Sequence, residues 1–217
     1  MRLYKYIKVN ANKTQSEVKI LFENNLVTVN DKLVPFTYLI KENDVVKIGN
    51  DIIEMLPKLY YLYYKPKGVI SDIKDKDNSY INFINFKYKL MPCGRLDKES
   101  EGLMILTNDG MFINDILNND KEKEYIVEVE NKITDDFIKN IEKPIIIKGK
   151  TTLPIKANKI DDYHINMILK DGRYHQIRRA VQSNNNRVVN LKRIRIGSYT
   201  ISDLQIGEIR EIKKIVN

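Results

Sequence analysis

Cys93-Gly94-Arg95-Leu96-Asp97 decides the reading of this chain. It continues through Lys98-Glu99-Ser100-Glu101 into Gly102-Leu103-Met104-Ile105-Leu106-Thr107 and Asn108-Asp109-Gly110. Pro92 and Gly94 break the segment before it. Alternate residues of an extended chain share a face, so Arg95 and Asp97 point the same way across Leu96. Gly102 opens an apolar run, Leu103 to Leu106, short enough for a buried strand. Asn108, Asp109 and Gly110 tolerate left-handed backbone and close the run with a turn. A carboxylate is thereby fixed on a tight loop leading into a core strand, with a guanidinium beside it. On residue types alone the pair reads as a surface salt bridge, worth under about 1 kcal/mol.

The 217 residues suit one large domain, or a small one joined to a medium one, and a 42% hydrophobic content can fill a core. A formal charge of +8 with a pI near 9.3 points to a polyanionic partner. One cysteine and two histidines exclude a disulfide framework and argue against structural zinc. No apolar run approaches membrane-spanning length and the first residues lack a signal-peptide h-region, so the expected location is the cytoplasm. The charge is uneven. Residues 1–57 hold 8 basic and 7 acidic groups, and residues 58–169 hold 18 of each. Residues 170–214 hold 11 basic against 4 acidic, including Arg173, Arg178, Arg179, Arg187, Lys192, Arg193 and Arg195. That asymmetry makes the late stretch the expected phosphate contact and the front a weak one.

Along the chain, Leu3, Tyr6 and Ile7 predict a helix over Met1 to Val9. Thr14 or Ser16 caps a second helix that buries Val18, Leu21 and Phe22. Leu26–Val29 and Val45–Ile48 read as short strands, with Asn30-Asp31 a turn between them. Pro57-Lys58 marks a boundary. Leu59–Tyr64 is an aromatic strand ended by the turn Lys65-Pro66-Lys67-Gly68, and 71–80 is a polar loop. Met111, Ile113, Ile116 and Leu117 predict a helix face, and Lys123–Val129 alternates as a strand. Thr134 caps a helix that Pro144 stops. Thr151–Pro154 and Ile165–Leu169 continue the sheet, and Asp171-Gly172 is a hairpin-type turn.

Several motifs recur together in order. Gly94-Arg95-Leu96-Asp97 is followed by Ser100-Glu101-Gly102-Leu103, then Leu106-Thr107-Asn108-Asp109-Gly110. Lys123-Glu124-Tyr125, Arg173-Tyr174-His175-Gln176-Ile177-Arg178-Arg179 and Leu191-Lys192-Arg193-Ile194-Arg195-Ile196-Gly197 come next, and Leu204-x-x-Gly207-Glu208-Ile209-Arg210 ends the series. This series resembles the signature of the RsuA-type ribosomal RNA pseudouridine synthases. Residues 1–57, through Arg2-Leu3, Tyr6-Ile7, Glu17-Val18, Val27-x-Val29-Asn30 and Asp44-x-Val46, resemble an S4-type RNA-binding domain. Asp31 stands where that pattern has glycine, Gln15 stands near a usually basic position, and Ala180 replaces a commoner methionine in the third motif.

The resemblance implies an α+β protein: a small S4-like module at 1–57, then a pseudouridine synthase domain at 58–217 with a mixed, largely antiparallel sheet flanked by helices. It implies isomerisation of a uridine in ribosomal RNA, with Asp97 the catalytic carboxylate, Tyr125 stacked on the target base, and Arg178 holding Asp97 ionised and aimed. Arg95 fills the place of the flipped-out base. Arg173, His175, Gln176, Arg179, Arg193 and Arg195 are the expected RNA contacts. No cofactor and no metal are expected. The expected partner is ribosomal RNA or a ribosomal-subunit assembly intermediate, met by a monomer. The Arg173-Tyr174-His175-Gln176 spelling favours small-subunit RNA. The alternatives are a large-subunit RNA substrate, or a non-catalytic RNA-binding or ribosome-assembly protein on the same scaffold.

Overall fold

The computed structural model describes residues 1–73, 75, 77–84, 89–118 and 121–215. The chain divides into two compact units; among the described residues the smaller holds 1–58 together with Lys89, and the larger holds the rest.

In the smaller unit, α1 (Leu3–Asn10) and α2 (Gln15–Glu23) pack on a four-stranded antiparallel sheet. Its strands are β1 (Val27–Val29), β2 (Lys32–Leu33), β3 (Val46–Ile48) and β4 (Asp51–Ile52), in the order β2-β1-β3-β4. Thr14 and Glu17 form a reciprocal capping box at the start of α2, each side chain accepting the other's backbone N–H. Leu3, Tyr6 and Ile7 of α1 are buried with Val18, Val27, Val29 and Val46. Phe36 completes this core, stacked on Tyr4 and edge-on to Phe22. Asn30 and Asp31 both take positive φ, +52° and +62°, as a two-residue hairpin turn requires. Asp31 adopts there the conformation that suits glycine.

The larger unit carries β5 (Tyr60–Lys65), β6 (Met91–Pro92), β7 (Glu101–Thr107), α3 (Gly110–Leu117), β8 (Lys123–Val129) and α4 (Asp135–Ile141). Then come β9 (Ile146–Ile147), β10 (Lys150–Thr151), β11 (Lys156–Lys159), β12 (His164–Leu169), α5 (Gln176–Ser183), β13 (Val188–Ile196), β14 (Tyr199–Thr200) and β15 (Ile209–Glu211). The main sheet runs β11-β12-β8-β13-β7-β5-β15, with β14 on β13 and β6 on β7. The β13–β7 pair is parallel and the other pairs in this sheet are antiparallel. The fold is therefore the expected mixed, largely antiparallel α+β arrangement. β7 lies inside it, between β13 and β5, with Leu103, Met104, Ile105 and Leu106 fully buried. Such a strand, covered on both faces, reads as an uninterrupted apolar run.

The parallel pairing of β7 and β13 needs Gly102. Its φ is +111°, and a Cβ there would lie 2.3 Å from the Arg193 carbonyl oxygen and 2.6 Å from the Arg193 nitrogen. No side chain fits that approach.

Four local expectations are corrected. Thr151–Pro154 does not continue the main sheet: Thr151 ends a separate β9–β10 hairpin turned at Lys148 and Gly149, and Pro154 has no N–H to donate. Asp171-Gly172 is a strand-to-helix junction, closed by Gln176 rather than by a returning strand. On α3, Asp109 accepts from the N–H groups of Met111 and Phe112, and that cap sets the phase so that Phe112 and Ile116 face inward while Met111 and Leu117 are exposed. In the polar segment 71–80, Ser71, Ser79 and Tyr80 are buried, and the Tyr80 hydroxyl donates to Leu90 O; residues 74 and 76 lie outside the described residues.

Candidate active site

A cleft of about 140 Å³ opens over the sheet between the loop Cys93–Ser100, strands β8 and β13, and the β12–α5 junction. Asp97 stands at its edge on a loop in which successive backbone groups are held from outside. Arg193 Nη1 donates to Arg95 O at 3.4 Å. The Ser71 hydroxyl donates to Leu96 O at 2.9 Å and accepts from Leu96 N at 3.1 Å. Ser100 N donates to Asp97 O, and Gly68 N to Lys98 O. Lys65 Nζ reaches the same Lys98 carbonyl at 3.5 Å, having donated to Val69 O at 2.7 Å and Pro66 O at 2.9 Å. The Lys-Pro-x-Gly turn after β5 is thus a clamp on the Asp97 loop.

The Asp97 side chain, 34% exposed, lies between two basic groups. Arg178 Nε is 3.6 Å from Oδ2 and His175 Nε2 is 3.4 Å from Oδ1. Both approaches are looser than good hydrogen bonds, as catalytic contacts often are before substrate tightens them. Arg178 is aimed by its far end: Nη2 donates to Ser100 Oγ at 3.1 Å and to Glu99 O at 3.3 Å. Arg95 makes no ion pair with Asp97. Its side chain is exposed at the cleft and has no hydrogen-bond partner among the described residues.

Tyr125 and Arg193 are cross-strand neighbours on β8 and β13 and both line the cleft. Tyr125 is buried in the strand with its ring at the floor. Arg193 is 3% exposed, donates through Nε to Leu103 O at 2.8 Å, and leaves Nη2 without a partner among the described residues. Two more titratable groups belong to the surroundings of the Asp97 loop. Burial pulls the Lys65 ammonium down to about 8, against an opposing pull from Asp97. Burial pushes the Cys93 thiol up to about 12, which makes it a packing residue and not a nucleophile.

The expected RNA contacts divide. His175 and Arg178 meet Asp97, and Arg179 is exposed on α5. Gln176 is spent internally: its amide nitrogen donates to Asp171 Oδ1 at 2.7 Å and its oxygen accepts from Arg173 N at 2.9 Å. Arg173 pairs with Asp171 at 3.4 Å. Arg195 is not a free phosphate contact, because its guanidinium holds both Glu122 and Glu124 and those bonds push its pKa up. Arg193 is buried. Of the eleven basic residues in 170–214, Arg178 and Arg195 are thus met by carboxylates from outside the stretch and Arg193 is buried, while Lys170, Arg179, Arg187, Lys213 and Lys214 stay exposed, so only part of the excess charge is taken up within the fold. Lys65, Ser71 and Ser100 escaped the sequence reading. Lys65 lay in the Lys-Pro turn and Ser100 in the Ser-Glu-Gly-Leu motif, neither with a role of its own, and Ser71 carried no signal.

Residues 59–183 match the family model described as RNA pseudouridylate synthase. The dual-specificity RNA pseudouridine synthase RluF of Escherichia coli (strain K12) is 33% identical over 98% of this chain and 75% of its own. The ribosomal small subunit pseudouridine synthase A of Haemophilus influenzae is 29% identical over the full length of both. A crystal structure of a pseudouridylate synthase superposes with a TM-score of 0.70, at 27% identity, over 98% of this chain and 96% of that one. The chain belongs to the RNA pseudouridylate synthase family, in its RsuA-type branch, and is an RNA pseudouridine synthase.

Proposed function

We propose that the chain converts a specific uridine of small-subunit ribosomal RNA to pseudouridine. It does so in the cytoplasm, as a monomer, on free RNA or on a subunit assembly intermediate. The supporting observation is the placement of Asp97, its loop pinned by backbone bonds and its carboxylate bracketed by His175 and Arg178 above the Tyr125 floor.

A base stacked in a duplex is out of reach, so the uridine is flipped into the cleft at a cost of a few kcal/mol. Arg95, exposed and uncommitted, takes the vacated place in the stack. Tyr125 supports the uracil ring. Asp97 acts at the ribose, as a nucleophile at C1′ or as the base that takes a ribose proton. The C1′–N1 bond breaks, the uracil turns, and C5 bonds to C1′. The C5 proton then leaves and N1 gains one, so no redox group or donor is consumed. Arg178 holds the carboxylate oriented through these steps, and Arg179 meets backbone phosphate. The unit at 1–57 is the S4-like RNA-binding module. The Arg173-Tyr174-His175-Gln176 spelling and the relative named for the small subunit support the choice of RNA. A second reading, in which more than one RNA is modified, draws on the relatives named as dual-specificity.

Mapping pseudouridines in the ribosomal RNAs of cells with and without the gene tests both readings. One lost site in small-subunit RNA is expected. Loss elsewhere as well favours the second reading, and no loss rejects both. Complementation with Asp97→Asn, which removes a charge at nearly constant volume, should leave the site unmodified while RNA binding persists.

A further inference from the structure

The third motif delivers a second basic residue to Asp97, and the backbone is distorted to deliver it. His175 has φ +52° and ψ +31°, a left-handed conformation few non-glycine residues adopt. It occupies the N-cap position of α5, yet its side chain caps nothing. The conformation is imposed from both sides. Asp171 is fixed by Gln176 Nε2 at 2.7 Å and by Leu153 N at 3.0 Å, and Gln176 Oε1 ties back the Arg173 N–H at 2.9 Å. On the helix side Arg179 N donates to His175 O at 2.9 Å. The imidazole is then backed by a ring. Tyr174 stacks on it with centroids 3.9 Å apart and planes 16° apart. Tyr174 is itself 56% exposed and is approached by Lys148 at 5.2 Å and Arg179 at 5.7 Å from its centroid.

We propose that His175, backed by Tyr174, is a positioning residue for Asp97: with Arg178 it brackets the carboxylate, one basic side chain to each oxygen, and fixes which oxygen faces the ribose. This rests on the reading of Asp97 as the reacting carboxylate. A carboxylate held from one side only is free to rotate about its last bond, whereas contacts at both oxygens, 3.4 Å and 3.6 Å, oppose that rotation. Strained backbone persists where the surrounding structure over-determines it, and such residues cluster at active sites. The Tyr174 stack removes the imidazole's own freedom, so the bracket is preorganised before RNA arrives.

The test uses the full chain and a ribosomal RNA transcript that the wild type modifies. His175→Gly and His175→Asn accept the left-handed backbone but cannot reach Asp97, while His175→Gln restores a donor of adequate length. The first two should lower kcat by roughly tenfold to a hundredfold, the range that misplacement of a reacting group by about 1 Å produces. KM should stay within about twofold, since ground-state binding is untouched. His175→Gln should recover part of kcat, and Tyr174→Leu should lower kcat less than His175→Gly. A raised KM with unchanged kcat would make His175 an RNA contact and overturn the proposal. So would full activity of His175→Gly.

An arm without RNA separates this inference from the assignment of function. The chain has two histidines, His164 and His175, so their imidazole NMR signals are readily told apart. Asp97→Asn should move the His175 signal and leave His164, which pairs with Asp161, in place. An unmoved His175 signal refutes the bracket. Should the wild type modify no ribosomal RNA while the signal moves, the proposed function fails and the contact stands.

Discussion

Lys65 shows how a single buried charge supports the site from behind. Its ammonium, at 0% exposure, joins the Lys-Pro-x-Gly turn to the Asp97 loop through three carbonyl oxygens. Burial sets its folded value near 8, against 10.5 for a free lysine. Between those two values the unfolded chain binds more protons than the folded one, so this group makes stability rise with pH across that window. Below about pH 8 both states are charged and the cost of burial is present in full. Lys65→Met removes the dependence. The stability difference between wild type and Lys65→Met should therefore shift towards wild type by up to about 3 kcal/mol from pH 7 to pH 10.5. Urea denaturation at several pH values measures it, and a flat difference would mean that the ammonium is not so perturbed.

At the scale of elements, the site depends on one close approach between two strands. β7 brings the loop of Asp97, β13 brings Arg193, and they run parallel with Gly102 against the Arg193 backbone. Arg193 then reaches back to Leu103 O and Arg95 O, so the pairing also fixes the loop. Gly102→Ala adds a Cβ 2.3 Å from a carbonyl oxygen at a φ of +111°. The expected loss is about 2–5 kcal/mol, from backbone strain together with overpacking. Chemical denaturation would read it directly, and a loss below about 0.5 kcal/mol, the range of an ordinary surface change, would show that the strands part easily.

Over the whole molecule, the useful question about charge is which cations are free. Arg195 and Arg210 are each held by two carboxylates, Arg173 by Asp171, and Arg193 is buried. In the smaller unit, Lys5 and Lys8 lie on the exposed face of α1, Arg2 precedes it exposed, and the helix carries no acidic residue. A unit with a net charge near zero thus presents a local basic stripe. Changing Arg2, Lys5 and Lys8 to glutamine should reduce the salt slope of RNA binding by up to about 2, at roughly 0.7 per single-strand phosphate contact. Arg195→Gln should leave the slope nearly unchanged. Titrations at several salt concentrations distinguish the two, and the opposite pattern would return the anchor to the late stretch.

Sequence alone determined what depends on local order: the start of the second helix near Thr14, the apolar run of β7, the alternation of β8 and the family of the motifs. Residue types and spacings fix those, because each reports on neighbours a few positions away. Tertiary structure decided what depends on pairing between distant segments. The parallel contact of β7 with β13 joins residues about 90 positions apart, and no periodicity in either strand announces it. The same is true of Ser71 and Ser100, ordinary loop serines until the fold sets them against Leu96 and Arg178. It is true above all of the basic residues near the end of the chain. Their number was legible in the composition, but whether a guanidinium faces a phosphate or a carboxylate depends on which acid the sheet places beside it.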